Sequence, residues 1–128
     1  MRMDRVYSNV TDPVEVIQAV LDYVHENVYK VDMVDLAPCY RREINRQFMN
    51  EYQFYERDIL EILDKLRLVD YSHTSRELGK ADAYVFGIHE NSEGMLIYLK
   101  FTIVNEIIVV SFHEPDRVLT FPYKEVIH

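Results

Sequence analysis

The sequence predicts an α+β fold, about three helices packed on one face of a small antiparallel sheet, and three observations carry that prediction. Apolar residues recur at helical spacing before Asp70, the period becomes that of strands after it, and short polar turns separate the strand-like runs. Helices followed by an antiparallel meander bury their apolar stripes on one face of the sheet. The 128 residues suit a single domain, and three Gly with four Pro provide no linker-rich tract.

Asp12-Pro13-Val14-Glu15 reads as a helix start, with a capping carboxylate, proline at the first helical position and an acid near the positive end of the dipole. Val14, Ile17, Leu21, Val24 and Val28 then form one apolar stripe over about four turns. Lys30 to Pro38 breaks the pattern, with Val31, Met33, Val34 and Leu36 as a short buried connector. From Tyr40 to about Tyr52 a second helix places Tyr40, Ile44 and Phe48 on one face and Arg41, Arg42 and Arg46 largely away from it. Phe54 to Leu66 forms a third, with Ile59, Ile62, Leu63 and Leu66 at helical spacing and charges that match the macrodipole.

The polar stretch Asp70-Tyr71-Ser72-His73-Thr74-Ser75 reads as a loop leading to the sheet. Four strands follow: Ala83 to His89, Met95 to Val104, Ile107 to Glu114 and Val118 to Tyr123. Asn91-Ser92-Glu93-Gly94 and Asn105-Glu106 are the turns between the first three.

Fourteen basic against twenty-two acidic residues give a net charge of −8, which excludes bulk electrostatic coating of nucleic acid, so any phosphate contact is local. The single Cys39 makes no internal disulfide, and no Cys-His nucleophile framework surrounds it; a small, partly buried apolar role is expected. The N-terminal residues are followed by no signal-like apolar run, and no stretch reaches the roughly 18 apolar residues of a membrane span. A cytoplasmic protein without membrane contact is expected. Zinc-site spacing, a glycine-rich phosphate loop and a G-x-S-x-G elbow are all absent from the sequence.

A two-residue turn at Asn105-Glu106 pairs Val104 with Ile107, Thr102 with Val109, Lys100 with Ser111 and Tyr98 with His113. One face of this hairpin is then apolar throughout: Ile97, Leu99, Phe101, Ile103, Ile108, Val110 and Phe112. The other gathers Tyr98, Lys100, Thr102, Ser111 and His113, with Tyr98 directly across from His113. That set suits cleavage of an RNA phosphodiester by its own 2′-hydroxyl, which needs a base, an acid and a cation but no metal. His73 supplies a second imidazole, and Arg41 and Arg42 join Lys100 as holders of backbone charge. Each feature has a structural alternative as well: a polar sheet face is usually just hydrated, and arginines on a helix usually pair with nearby acids.

Several segments, taken in order, resemble one known family. They are Ile59-Leu60-Glu61-Ile62-Leu63 followed by Leu66, Val69-Asp70-Tyr71-Ser72-His73, Tyr84-Val85-Phe86, Ile97-Tyr98-Leu99-Lys100-Phe101, and Val109-Val110-Ser111-Phe112-His113. Together they resemble the MqsR-type toxins of bacterial toxin–antitoxin systems, which are RelE-like mRNA interferases. The resemblance covers residues 40–123 as a toxin-like core and leaves residues 1–38 as a candidate N-terminal helical extension. It implies a RelE-like fold, cleavage of mRNA without metal or cofactor, and neutralisation by a cognate antitoxin protein. By position, Tyr98 matches the family's strand tyrosine, His113 the lysine or histidine after Ser-Phe, and His73 the basic residue after the Asp-aromatic pair. These three are therefore the implied catalytic residues, with His73 and His113 dividing the acid and base roles. The family's glutamine before the third strand has no match here, since Ala81 stands near its place.

Two rival functions remain open in the sequence. One is a catalytically inactive module of the same fold that binds a protein partner through its acidic surface. The other is an acidic inhibitor that mimics nucleic acid, although the acids are spread over the chain rather than clustered.

Overall fold

In the computed structural model, which describes residues 7–90 and 94–125, a six-stranded open sheet carries four helices. The chain runs β1 (Tyr7–Val10), α1 (Val14–Asn27), β2 (Val34–Asp35), α2 (Ala37–Arg41), α3 (Glu43–Tyr52) and α4 (Glu56–Asp64). A single 3-10 turn at Leu68–Asp70 then leads into β3 (Tyr71–Glu77), β4 (Ala83–His89), β5 (Leu96–Val104) and β6 (Glu106–His113). Residues 91–93 of the expected turn before β5 lie outside the described residues.

The strand order is β1-β3-β4-β5-β6-β2, antiparallel at every neighbour except β2, which runs parallel to β6. The expected all-antiparallel sheet is corrected by this edge. The segment β1-α1-β2 is a crossover that carries the chain from one edge of the sheet to the other, so β2 arrives alongside β6 in the same direction. Residues 7–38 thus supply both edge strands, and α1 buries Ile17, Leu21 and Val24 in the common core.

The helix face of the sheet contributes Tyr71, Phe86, Ile97, Leu99, Phe101, Ile107, Val109 and Phe112, all fully buried. Phe112 meets Phe48 and Phe54 edge-on at centroid distances of 5.8 and 5.2 Å, which ties α3 and the turn after it to β6.

Several local expectations change. Pro13, not Asp12, is the N-cap of α1 and makes no side-chain cap. Asp12 is instead buried, accepting from the Thr74 hydroxyl at 2.7 Å and from the Arg76 guanidinium at 3.0 Å. The single helix expected over Tyr40 to Tyr52 is broken at Arg42, whose backbone is extended (φ −95°, ψ 125°). That break turns α3 so that Asn45, Phe48 and Met49 face inward, while Ile44 is 47% exposed and Tyr40 37%.

The expected loop Asp70 to Ser75 is the start of β3, so His73 stands on a strand. Its small polar side chains are buried because β1 covers one edge and Asp12 satisfies Thr74. Val118 to Tyr123 is not a strand. It belongs to an irregular strap, residues 114–123, that leaves β6 and crosses the sheet's outer face.

The β5–β6 hairpin keeps the expected register where it matters chemically and loses it at the tip. Tyr98 pairs with His113 and Lys100 with Ser111, but a bulge follows, and Phe101 pairs with Val109, Thr102 with Ile108 and Ile103 with Ile107. Ile107 and Val109 therefore replace Ile108 and Val110 on the core side. Asn45, fully buried on α3, explains the bulge: its Nδ2 donates to the carbonyls of Val110 (3.0 Å) and Cys39 (2.9 Å), and its Oδ1 accepts from the Phe112 amide (2.9 Å). The tip closes on Asn105 in the left-handed region (φ 66°), with its carbonyl accepting from the Tyr23 hydroxyl.

Candidate functional site

Strand alternation puts one polar row across the outer face. His73 of β3 pairs with Val85 of β4, Val85 with Lys100 of β5, and Lys100 with Ser111 of β6. The next row on the same face is Gly87, Tyr98 and His113. Arg42 reaches this face from the helix break, its Nη1 donating to Ser111 Oγ at 2.7 Å. The extended backbone at Arg42 is what lets a residue between two helices bridge to β6. Arg41, one residue earlier, is exposed on α2, and no described contact joins it to the row.

The Tyr98 and His113 rings stack with centroids 5.1 Å apart and planes 16° off parallel. The His113 Nδ1 lies 2.7 Å from the Glu114 carbonyl, which can only accept, so Nδ1 carries a proton. His73 Nδ1 lies 3.0 Å from Ser72 Oγ. Burial first, and the Lys100 ammonium second, hold the His73 pKa below its ordinary value, which favours the neutral ring.

A cleft of about 760 Å³ opens beside this row. Ser72, His73 and Glu77 of β3 and Tyr98 of β5 line one side, and the strap from Pro115 to Thr120 lines the other. His113 does not open into it. Its exposed side belongs to a hollow of about 230 Å³ on the far side of β6, shared with Gln47 and Glu51 of α3.

Three strand steps of about 4.8 Å and a two-residue offset separate the Cα atoms of His73 and His113 by roughly 16 Å. An acid and a base must each come within about 3 Å of oxygens on one phosphorus. The structure therefore brings His73 and Tyr98 to one cleft, and it brings His113 to Tyr98 rather than to His73.

Sequence reasoning missed three contributors. Gly87 is an isolated glycine in an apolar strand, a pattern that signals close approach of another chain segment. A Cβ there would lie 2.7 Å from Phe121 Cζ and 2.9 Å from Leu119 Cδ1, so the strap is seated in the notch that this residue leaves. Pro115 and Pro122 at the ends of the segment argued against a paired strand. Arg117, on the strap, enters the cleft wall only because of that path. Among the described residues no group of three or more His, Cys, Asp or Glu side chains is arranged to hold a metal ion.

Comparison with known proteins found no protein-family model, no curated protein and no solved structure that matches this chain.

Proposed function

We propose that the chain is an endoribonuclease that cleaves RNA by attack of a 2′-hydroxyl, without metal, at the cleft over His73 and Tyr98. The observation that carries this is the shared cleft itself: an imidazole kept neutral by burial and by Lys100 faces a phenol whose ring is braced by His113. His73 Nε2 takes the 2′-hydroxyl proton, the 2′-oxygen bonds to phosphorus, and the P–O5′ bond breaks. The Tyr98 phenol gives its proton to the leaving 5′-oxygen, which leaves a 2′,3′-cyclic phosphate and a 5′-hydroxyl. Lys100, whose ammonium acts on His73, offsets charge on the phosphorane oxygens, while Arg42 stays tied to Ser111 on β6, three strand steps from His73.

The sequence resemblance to MqsR-type toxins supports the same chemistry and extends the proposal to a cytoplasmic mRNA interferase of RelE-like type that a cognate antitoxin neutralises. Purified chain incubated with naked RNA in chelator, and with messenger RNA in a translating extract, should generate cyclic-phosphate ends in at least one of the two. His73→Ala should reduce the rate by about 100-fold or more. Absence of cyclic-phosphate ends in both assays rejects the proposal.

A non-catalytic protein-binding module is the second reading, favoured by the net charge of −8 and by the cover that Leu119 and Phe121 place over Gly87. Expression of the chain separates the two: growth arrest abolished by His73→Ala supports the nuclease, and arrest indifferent to that change supports the module.

A further inference from the structure

Apart from Thr11 after β1, the strap builds the part of the cleft wall that the sheet does not. It leaves the end of β6, lays Leu119 and Phe121 against Gly87, and finishes with the Tyr123 hydroxyl donating to the Asp12 carbonyl at 2.6 Å. The Tyr123 ring stacks on Tyr71 with centroids 6.0 Å apart and planes 15° off parallel. Held at both ends and in the middle, the intervening Asp116, Arg117 and Val118 have a defined path along the rim, with Val118 96% exposed.

Among the described residues, Arg117 is the only lysine or arginine that lines the cleft. Of the two acids there, Glu77 is paired with Lys80 at 3.0 Å, and Asp116 is exposed. A chain of net charge −8 cannot hold a polyanion by its overall field, so affinity for RNA has to come from cations placed at the site. Arginine's planar fork suits a phosphate with two donors at once.

We infer that Arg117, presented by a strap seated in the Gly87 notch, holds an RNA phosphate adjacent to the one cleaved, across the cleft from His73. This rests on the nuclease reading and adds to it a binding residue outside the segments that carry the family resemblance. Arg117 is here a positioning group for substrate, and the strap is part of the binding surface rather than a cover over it. Displacing the strap should therefore weaken RNA binding even when Arg117 is present.

The experiment uses the full chain with a short, fully 2′-O-methylated single-stranded RNA, whose attacking hydroxyl is blocked, and follows affinity across a salt series. Loss of one phosphate contact should make the log-log salt slope shallower by about 0.7 in Arg117→Ala. With cleavable RNA the same variant should raise KM roughly tenfold, the loss of a charged hydrogen bond, and leave kcat nearly unchanged. Arg117→Lys should keep the slope. Gly87→Val, which fills the notch, and Phe121→Ala, which removes the strap's anchor without touching β4, should each reproduce the Arg117→Ala slope.

Wild-type slope and KM in Arg117→Ala overturn the inference. So does tighter binding or faster cleavage in Gly87→Val or Phe121→Ala, which makes the strap a cover. A wild-type chain that neither binds nor cleaves RNA is a different result and overturns the nuclease reading itself.

Discussion

Tyr98 and His113 face each other across β5 and β6 with their rings stacked at 5.1 Å, and only one of the two lines the cleft that holds His73. The phenol is therefore the member of the pair that can meet a substrate bound beside His73, and the imidazole is its brace.

This division of labour separates shape from proton transfer at position 113. His113→Phe keeps a flat ring against Tyr98 and should retain cleavage within about tenfold of wild type, whereas Tyr98→Phe, which removes the phenolic proton, should lose about 100-fold or more. Single-turnover rates on one RNA check both. If His113→Phe is as inactive as His73→Ala, then His113 itself handles a proton.

The pH profile tests the His73 assignment. Its pKa is lowered, first by burial and then by Lys100, so the rising limb of kcat/KM should lie below the ordinary histidine value of 6.5. Removing the ammonium in Lys100→Met removes one of the two causes, and the limb should move toward higher pH. The same shift has a sign for stability: the folded chain binds the His73 proton less readily than the unfolded chain, so this group's contribution falls as pH drops below 6.5. A limb that stays in place in Lys100→Met contradicts the pairing.

Asp12 separates two roles that the sequence alone confuses. As a helix cap it would tolerate serine, but as the buried acceptor of Thr74 and Arg76 it should not. Asp12→Ser and Asp12→Ala should both lose about 2 kcal/mol of stability in urea unfolding, because each removes the carboxylate that accepts from the Thr74 hydroxyl and the Arg76 guanidinium. Near-wild-type stability in Asp12→Ser restores the capping role.

Asn45 ties α3 to two other backbone segments, α2 and β6, through hydrogen bonds of 2.9, 3.0 and 2.9 Å. Asn45→Leu should cost about 3 kcal/mol, and the Val110 carbonyl and Phe112 amide would be left without this partner. A loss under about 1 kcal/mol, read from the unfolding midpoint at unchanged slope, means the bulge is held by something else.

Burial pushes the Cys39 thiol up to about 11. It should therefore resist a thiol-specific reagent at neutral pH in the folded chain and react once denatured. Rapid labelling of the native protein contradicts the buried placement.

What the sequence revealed and what it concealed divides along physical lines. β4 was legible residue for residue, and β5 and β6 to within one residue at their ends, because alternation and β-branched content have a local signal. β3 was concealed because, Tyr71 apart, its buried positions are the small polar Ser72, Thr74 and Ser75, and the acceptor of the Thr74 hydroxyl is Asp12, far away in the chain. β1 is short and polar, and its strand character comes from pairing with β3 rather than from its own residues. The strap was misread for the opposite reason: Val118 to Phe121 has strand-like composition, yet it packs through Leu119 and Phe121 onto a glycine and pairs with nothing described. At the site, Tyr98 opposite His113 and Lys100 opposite Ser111 followed from the spacing of two strands alone. The distance between the two histidines did not, since it depends on β4 lying between β3 and β5.

The extra residue at Val110 has a consequence for how this hairpin can change. Because it absorbs a one-step offset, the tip around Asn105 and the far end bearing Tyr98 and His113 are indexed independently, and Asn45 is the pin between them. Lengthening or trimming the tip leaves the stacked rings where they are. Variation in this protein's descendants is thus free to accumulate at the outer end of the ribbon while the inner end stays aligned.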